Sequence, residues 1–239
     1  MKTKVNSENV QGRVAPEDRS FILESIMRVN RAIQEAEDIE HMTRDVLDLT
    51  LEILECDRAW LLYPNEPDTK TWGVPMERSV SEWPGLGVTP DQRVPLSPGV
   101  KKVFEDTTNL KDVVAYDSIT EYEIPQDVAE NYDVKAQMII AIYPKIGKAW
   151  SFGVHQCSHA RIWSERDKSI MREIGFLIAG SLNNLLLLED LQKTKKELTE
   201  KVEDLETAND LMVGRELKMV ELKKELESKL EEAASGDEK

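Results

Sequence analysis

From Ser164 to the C-terminus the chain has no proline and, past Phe176, no aromatic residue, while Leu, Glu and Lys dominate it. Such a run favours helix at nearly every position and offers nothing from which a sheet could be packed. All five tryptophans (Trp60, Trp72, Trp83, Trp150, Trp163) lie before it, and the last proline is Pro144. One globular domain followed by one long helix is therefore expected. Residues 16–187 are assigned to the domain and 188–232 to the helical extension, with flexible ends at 1–15 and 233–239.

Within the extension, Leu188, Leu191, Lys195, Leu198, Val202, Leu205, Asn209 and Met212 alternate at spacings of three and four. This heptad pattern winds two helices together along an apolar seam. Backward, Ile174, Leu177 and Ser181 fall on the same stripe; forward, Met219, Leu226 and Leu230 keep it, while Glu216 and Lys223 weaken it. A solitary helix would leave the stripe in water, so a homodimeric coiled coil is expected. Asn209 in the seam favours parallel, in-register pairing. Ser164-Glu165-Arg166-Asp167 reads as a capping box at the start of the helix, and Gly214 as a weak point costing about 1 kcal/mol against Ala.

Lys and Arg number 31 against 46 Asp and Glu, a net charge of −15, which repels phosphate backbones and anionic headgroups. Neither nucleic acid nor a membrane surface is expected as a partner. Apolar runs are short, the longest being Met138 to Tyr143 and Leu185 to Leu188, against the eighteen or so residues of a membrane span. The only cysteines, Cys56 and Cys157, are far apart and have no leader ahead of them, so a soluble chain in a reducing, cytoplasmic setting is expected.

Helical spacing runs through Phe21, Ile22, Ile26, Val29 and Ile33, then through Ile39, Met42, Val46, Leu49 and Ile53, with Asp38 as the N-cap between. Arg58 to Tyr63 reads as a buried strand stopped by Pro64-Asn65-Glu66-Pro67. Thr71 to Ser97, crowded with Pro and Gly, reads as strands broken by turns. A short helix follows from Ser97-Pro98-Gly99 to Phe104, then an extended Leu110 to Tyr116 and helical turns at Gln126 to Tyr132. Lys135 to Tyr143 and Ala149 to Cys157 form a hairpin through Pro144-Lys145-Ile146-Gly147-Lys148.

The helix ending at Cys56-Asp57-Arg58-Ala59, the run Val134-Lys135-Ala136-Gln137-Met138, and Trp150 to Ser164 with its Gln156-Cys157-Ser158 and Arg161-Ile162-Trp163-Ser164 resemble the GAF domain, in particular its phytochrome and cyanobacteriochrome branch. The resemblance covers roughly Phe21 to Leu191. It implies an α+β fold: an antiparallel sheet flanked by helices, with a small-molecule pocket on one side and a helical bundle on the other, here followed by the long coiled-coil helix. Bilin-carrying relatives attach pigment through a Cys-His pair ahead of the Val-x-Ala-x-Met strand. Counting back from Val134 places that pair at Ile124-Pro125, which argues against a covalent bilin.

Tyr116, Asp117, Tyr132, His155, Cys157 and His159 are the pocket candidates. His155 and Cys157 alternate onto one strand face with His159 following, which makes haem or a non-covalent tetrapyrrole the candidate cofactor, while core packing is the plain alternative for the thiols. Asp117 equally suits a turn cap, and the tyrosines core or rim positions. No metal site is nominated. A histidine kinase needs a phosphoacceptor His on a dimeric helix, yet no His follows His159, and no phosphate-binding Gly loop or catalytic constellation appears. The expectation is a non-catalytic, dimeric prokaryotic sensor that hands its state to a downstream signalling protein; the alternatives are a haem- or bilin-binding redox or light sensor and a dimerisation scaffold with no ligand. Met212 to Met219 resembles the linkers that follow such domains.

Overall fold

The computed structural model describes residues 16–85 and 92–236, so the flexible start expected at 1–15 lies outside the described residues. Two helices open the chain, α1 (Pro16–Glu35) and α2 (Ile39–Leu54). Asp38 caps α2 as expected, its Oδ1 accepting from the His41 amide at 2.7 Å, while its Oδ2 meets His41 Nδ1 at 2.8 Å. Then come β1 (Arg58–Tyr63), β2 (Thr71–Ser79) and the two-residue β3 (Val94–Pro95). After them lie α3 (Pro98–Leu110), β4 (Val114–Tyr116), α4 (Gln126–Tyr132), β5 (Ala136–Ile142), β6 (Trp150–Gln156) and α5 (Glu165–Gly236).

The strands form one sheet in the order β3-β2-β1-β6-β5-β4, with antiparallel pairing throughout. Alternation along buried strands sorts side chains into two cores. Ala59, Leu61, Met138, Ile140, Phe152 and Val154 point to one face, where Val29, Val46, Leu47, Ile170 and Ile174 from α1, α2 and α5 cover them. Trp60, Leu62, Trp72 and Ile139 point to the other, under Val100, Val103, Phe104 and Val128 of α3 and α4. Both faces being covered, these strands are apolar almost throughout instead of alternating with polar residues.

Three expectations require correction. The helix opening at Ser97-Pro98 continues past Phe104 to Leu110, so the extended segment begins only near β4. Its extra turn contains poor helix formers: Thr107 and Thr108 hydroxyls donate to the Phe104 carbonyl, and Asn65 holds Thr107 from across the fold. The long helix runs through Gly236, beyond the frayed end expected from Ala233. Within Glu165–Ser228 an 18-residue stretch reaches a mean hydropathy of 1.4, so α5 is long and apolar enough to cross a membrane by composition, contrary to the run-length reading. Ile170, Met171, Ile174, Ile178 and Leu182 are buried inside the folded chain, but only 24% of that apolar stretch is buried, so core packing accounts for part of its apolarity.

The same burial removes Ile174 from the expected dimer seam. Ile174 is fully covered by its own chain and Leu177 packs partly against the same core, where α5 approaches β5 closely at Gly175. The chain divides into two compact units after Leu186. In the second, Leu188, Leu191, Leu198, Val202, Leu205, Asn209 and Met212 are all exposed.

One glycine decides the architecture of the sheet centre. Gly153 of β6 lies opposite Trp60 of β1, and a Cβ there would stand 2.2 Å from the indole. Gly153→Ala must displace Trp60, an overpacked change expected to cost about 1–3 kcal/mol as a lowered urea midpoint with unchanged slope. A native midpoint would show that the indole has room to spare.

Candidate functional site

Beneath α3 and α4 the sheet leaves a cavity lined by Trp60, Trp72, Phe104, Tyr132, Gln137 and His155 together with aliphatic side chains. Its volume is about 30 Å³, room for a ligand of only a few non-hydrogen atoms. Trp60 Nε1 donates to His155 Nε2 at 3.2 Å. Since an indole nitrogen can only donate, that bond fixes Nε2 as an acceptor and places the imidazole proton on Nδ1. Burial, with the nearby Arg58 charge, pushes the His155 pKa down to about 3, so the ring is neutral at physiological pH. Three polar atoms of lining residues have no protein partner: His155 Nδ1, Gln137 Oε1 and Trp72 Nε1.

Of the expected pocket residues, His155 and Tyr132 line this cavity. Tyr132 stands edge-on to Trp72, their centroids 6.2 Å apart. Tyr116 is wholly buried in the same core but spends its hydroxyl on Asp106, donating to Oδ2 at 3.0 Å; burial and the Asp106 charge push its pKa far up. Asp117 takes the turn-cap role, Oδ1 accepting from the Ile119 and Thr120 amides and Oδ2 from the Trp163 amide. Cys157 lies just past the end of β6, its thiol pushed up to about 11 by burial, and Cys56 is pushed up to about 12 for the same reason; both are poor nucleophiles. His159 is exposed, with Nδ1 against the Ser158 hydroxyl at 3.0 Å. His155, Cys157 and His159 therefore do not converge on one centre, and among the described residues no group of three or more His, Cys, Asp or Glu could hold a metal.

The Gln-Cys-Ser and Arg-x-Trp-Ser run serves a different purpose. Asp57, buried where α2 passes into β1, accepts on Oδ2 from the amides of Cys157 at 2.6 Å and Ser158 at 2.7 Å, and from the Ser158 hydroxyl and Gln156 Nε2 at 2.8 Å each. Burial raises its pKa, but these donors outweigh burial and hold the carboxyl below the usual range. Arg161 Nη1 donates to the carbonyls of Leu54 and Glu55, capping the end of α2, and to Gln156 Oε1, while its guanidinium stacks 4.2 Å from the Trp163 ring. Ser164 and Asp167 then close the reciprocal capping box of α5. The signature is a clasp joining α2, β1, β6 and the start of α5.

A tetrapyrrole does not fit these residues. The free space is far below the ~300–1,000 Å³ of pockets for larger ligands, and among the described lining residues no cationic side chain faces the propionates. His155 Nε2, the free ligand of a neutral ring in this tautomer, is already bonded to Trp60. Ile124 is packed against the same apolar core, and Pro125 is the N-cap of α4. Neither offers a thiol. The residues missed from sequence, Trp60, Trp72 and Gln137, carried one usable signal: a polar Gln inside an otherwise apolar strand, at an inward position of the same parity as Ile139.

Two outcomes follow. Asp57→Ala strands the Cys157 and Ser158 amides, and is expected to cost about 3 kcal/mol or more in urea unfolding; a loss under 1 kcal/mol, the scale of an ordinary surface change, would mean that the clasp is not structural. For His155, the folded pKa of about 3 lies below the ordinary 6.5. Its contribution is therefore intact above ~6.5 and is lost as pH falls, by about 1.4 kcal/mol per pH unit down to about 3. His155→Gln, which keeps an acceptor for Trp60, should flatten the urea midpoint between pH ~6.5 and ~4.5, before carboxylates dominate. An unchanged slope would contradict the buried neutral ring.

No family model matches the chain. Among curated proteins it is 26% identical over 184 residues to the methanogenesis regulatory histidine kinase FilI of Methanothrix harundinacea (strain 6Ac), an alignment covering 72% of this chain and 20% of the kinase. The chain thus spans about a fifth of that relative's length. The chromophore-binding domain of the bacteriophytochrome RpBphP3 from R. palustris superposes with a TM-score of 0.58 at 15% identity, covering 74% of this chain and 65% of the other. The GAF domain of a phosphoenolpyruvate-protein phosphotransferase from Coxiella burnetii superposes at 0.55 and 11% identity, covering 72% and 98%. Six antiparallel strands between a helical layer and a cavity-covering layer give this chain the GAF fold.

Proposed function

We propose that the chain is a non-catalytic, homodimeric sensory module in which an event at the GAF cavity is passed to a C-terminal coiled coil and from there to a downstream signalling protein. The observation that carries this reading is the row of exposed apolar residues at heptad spacing, Leu191 at 64%, Leu198 at 61%, Leu205 at 69% and Met212 at 60% exposure, in a segment with no core of its own. Such a row has one economical use, packing against an identical helix. The similarity to a regulatory histidine kinase and to a bacteriophytochrome domain supports placing the module in signalling. The cavity, with its neutral imidazole and unpaired polar atoms, supplies a place for a stimulus.

Leu198→Pro interrupts the seam within the second unit and leaves the clasp and sheet untouched. By light scattering at micromolar concentration the native chain is expected as a dimer and the variant as a monomer, with the globular unit melting as before. A dimer surviving the substitution would overturn the coiled-coil route. A native chain that dimerises but shows no change in tail hydrogen exchange on occupation of the cavity would reduce the module to a scaffold.

A further inference from the structure

Gln137 and His155 are register partners on neighbouring strands β5 and β6. Directly opposed side chains on one sheet face lie about 5 Å apart at Cβ. Both residues line the cavity, both are buried to 2–3% exposure, and each has an orphaned polar atom: an acceptor, Gln137 Oε1, beside a donor, His155 Nδ1–H. Leaving such atoms without partners in the interior is costly, and native folds keep few of them without a reason. A donor and an acceptor side by side are complementary to the edge of an amide, whose carbonyl accepts from one while its N–H donates to the other.

We propose that this cavity binds a small uncharged amide, a carboxamide, urea or lactam of a few non-hydrogen atoms, held by its N–H and C=O edge between Gln137 Oε1 and His155 Nδ1–H with its body against Trp60, Trp72 and Phe104. As the stimulus of the module this rests on the sensory reading above. Trp72 Nε1–H supplies a further donor within the same lining. Size sets the upper limit, since the free space holds neither a nucleotide nor a tetrapyrrole. Charge sets the other limit. Arg58, paired across β1 from His155, is the nearby cation, but its Nε and Nη1 donate to the Pro84 and Tyr132 carbonyls, so an anion entering the cavity would shed its water without gaining those donors.

The full chain is titrated with acetamide, with acetone, which has the same shape and carbonyl but no N–H, and with acetate, its anionic isostere. Binding is followed by the indole N–H resonances of Trp60 and Trp72. Saturable shifts are expected with acetamide, at least tenfold weaker ones with acetone, and none with acetate. Gln137→Met removes the acceptor and should collapse the ratio between the two neutral probes towards unity; because the ratio is taken within one variant, general destabilisation does not imitate it. His155→Gln, whose side chain still accepts from Trp60, should weaken both neutral probes alike. Equal affinity of acetamide and acetone for the native chain, preference for acetate, or no saturation with acetamide would overturn the proposal, the last leaving ordered water as the occupant. These failures concern the cavity alone; failure of the sensory reading would appear instead as normal acetamide binding with no response in the tail.

Discussion

A single carboxylate oxygen, Asp57 Oδ2, ties together parts of the chain a hundred residues apart, because the amides that turn the chain out of β6 have no other acceptor. In the interior an N–H without a partner is expensive, and a charged acceptor strengthens each bond it receives. Asp57 therefore fixes where β6 ends relative to where β1 begins. Arg161 does the corresponding work for the other end of the turn, meeting the carbonyls that α2 leaves open. With both in place, α5 starts at a defined point and its apolar residues are laid on the sheet.

The polar groups of the interior fall into two classes. Those of the clasp are largely paired: Asp57, Gln156, Ser158 and Arg161 have protein partners at ordinary distances, while Trp163 Nε1 has none. Those of the cavity are not, for His155, Gln137 and Trp72 each keep an atom with nothing to bind. Both classes sit in the same sheet, a few residues apart along β6. Among the described residues, three of the five buried polar atoms without a partner line the cavity under α3 and α4.

How much could be read beforehand follows this division. The hairpin of β5 and β6 and the strand β1 are legible because short apolar runs bounded by Pro and Gly have few alternatives, and the Asp38 cap because its helix announces itself by period. The extra turn of α3 is not, since Asp106, Thr107 and Thr108 are weak helix formers held by hydroxyl bonds and by Asn65 from elsewhere in the sequence. For the site, alternation put His155 on the correct face, whereas Cys157 lies beyond the strand end, where alternation no longer applies. Ile174 and Leu177 illustrate a deeper ambiguity: a stripe at helical spacing covers a sheet as readily as it covers a second helix, and only the fold says which. Pairing across strands, which sets Gln137 beside His155, is a long-range property with no trace in local sequence.

Trp60 stands where the two classes touch. Its ring fills the space left empty by the missing side chain of Gly153, and its nitrogen holds the imidazole that faces the cavity. The close approach of the two central strands at that glycine thus sets the seat of the indole and, with it, one wall of the cavity. Any side chain at position 153 would therefore disturb the wall of the cavity together with the pairing of the two central strands.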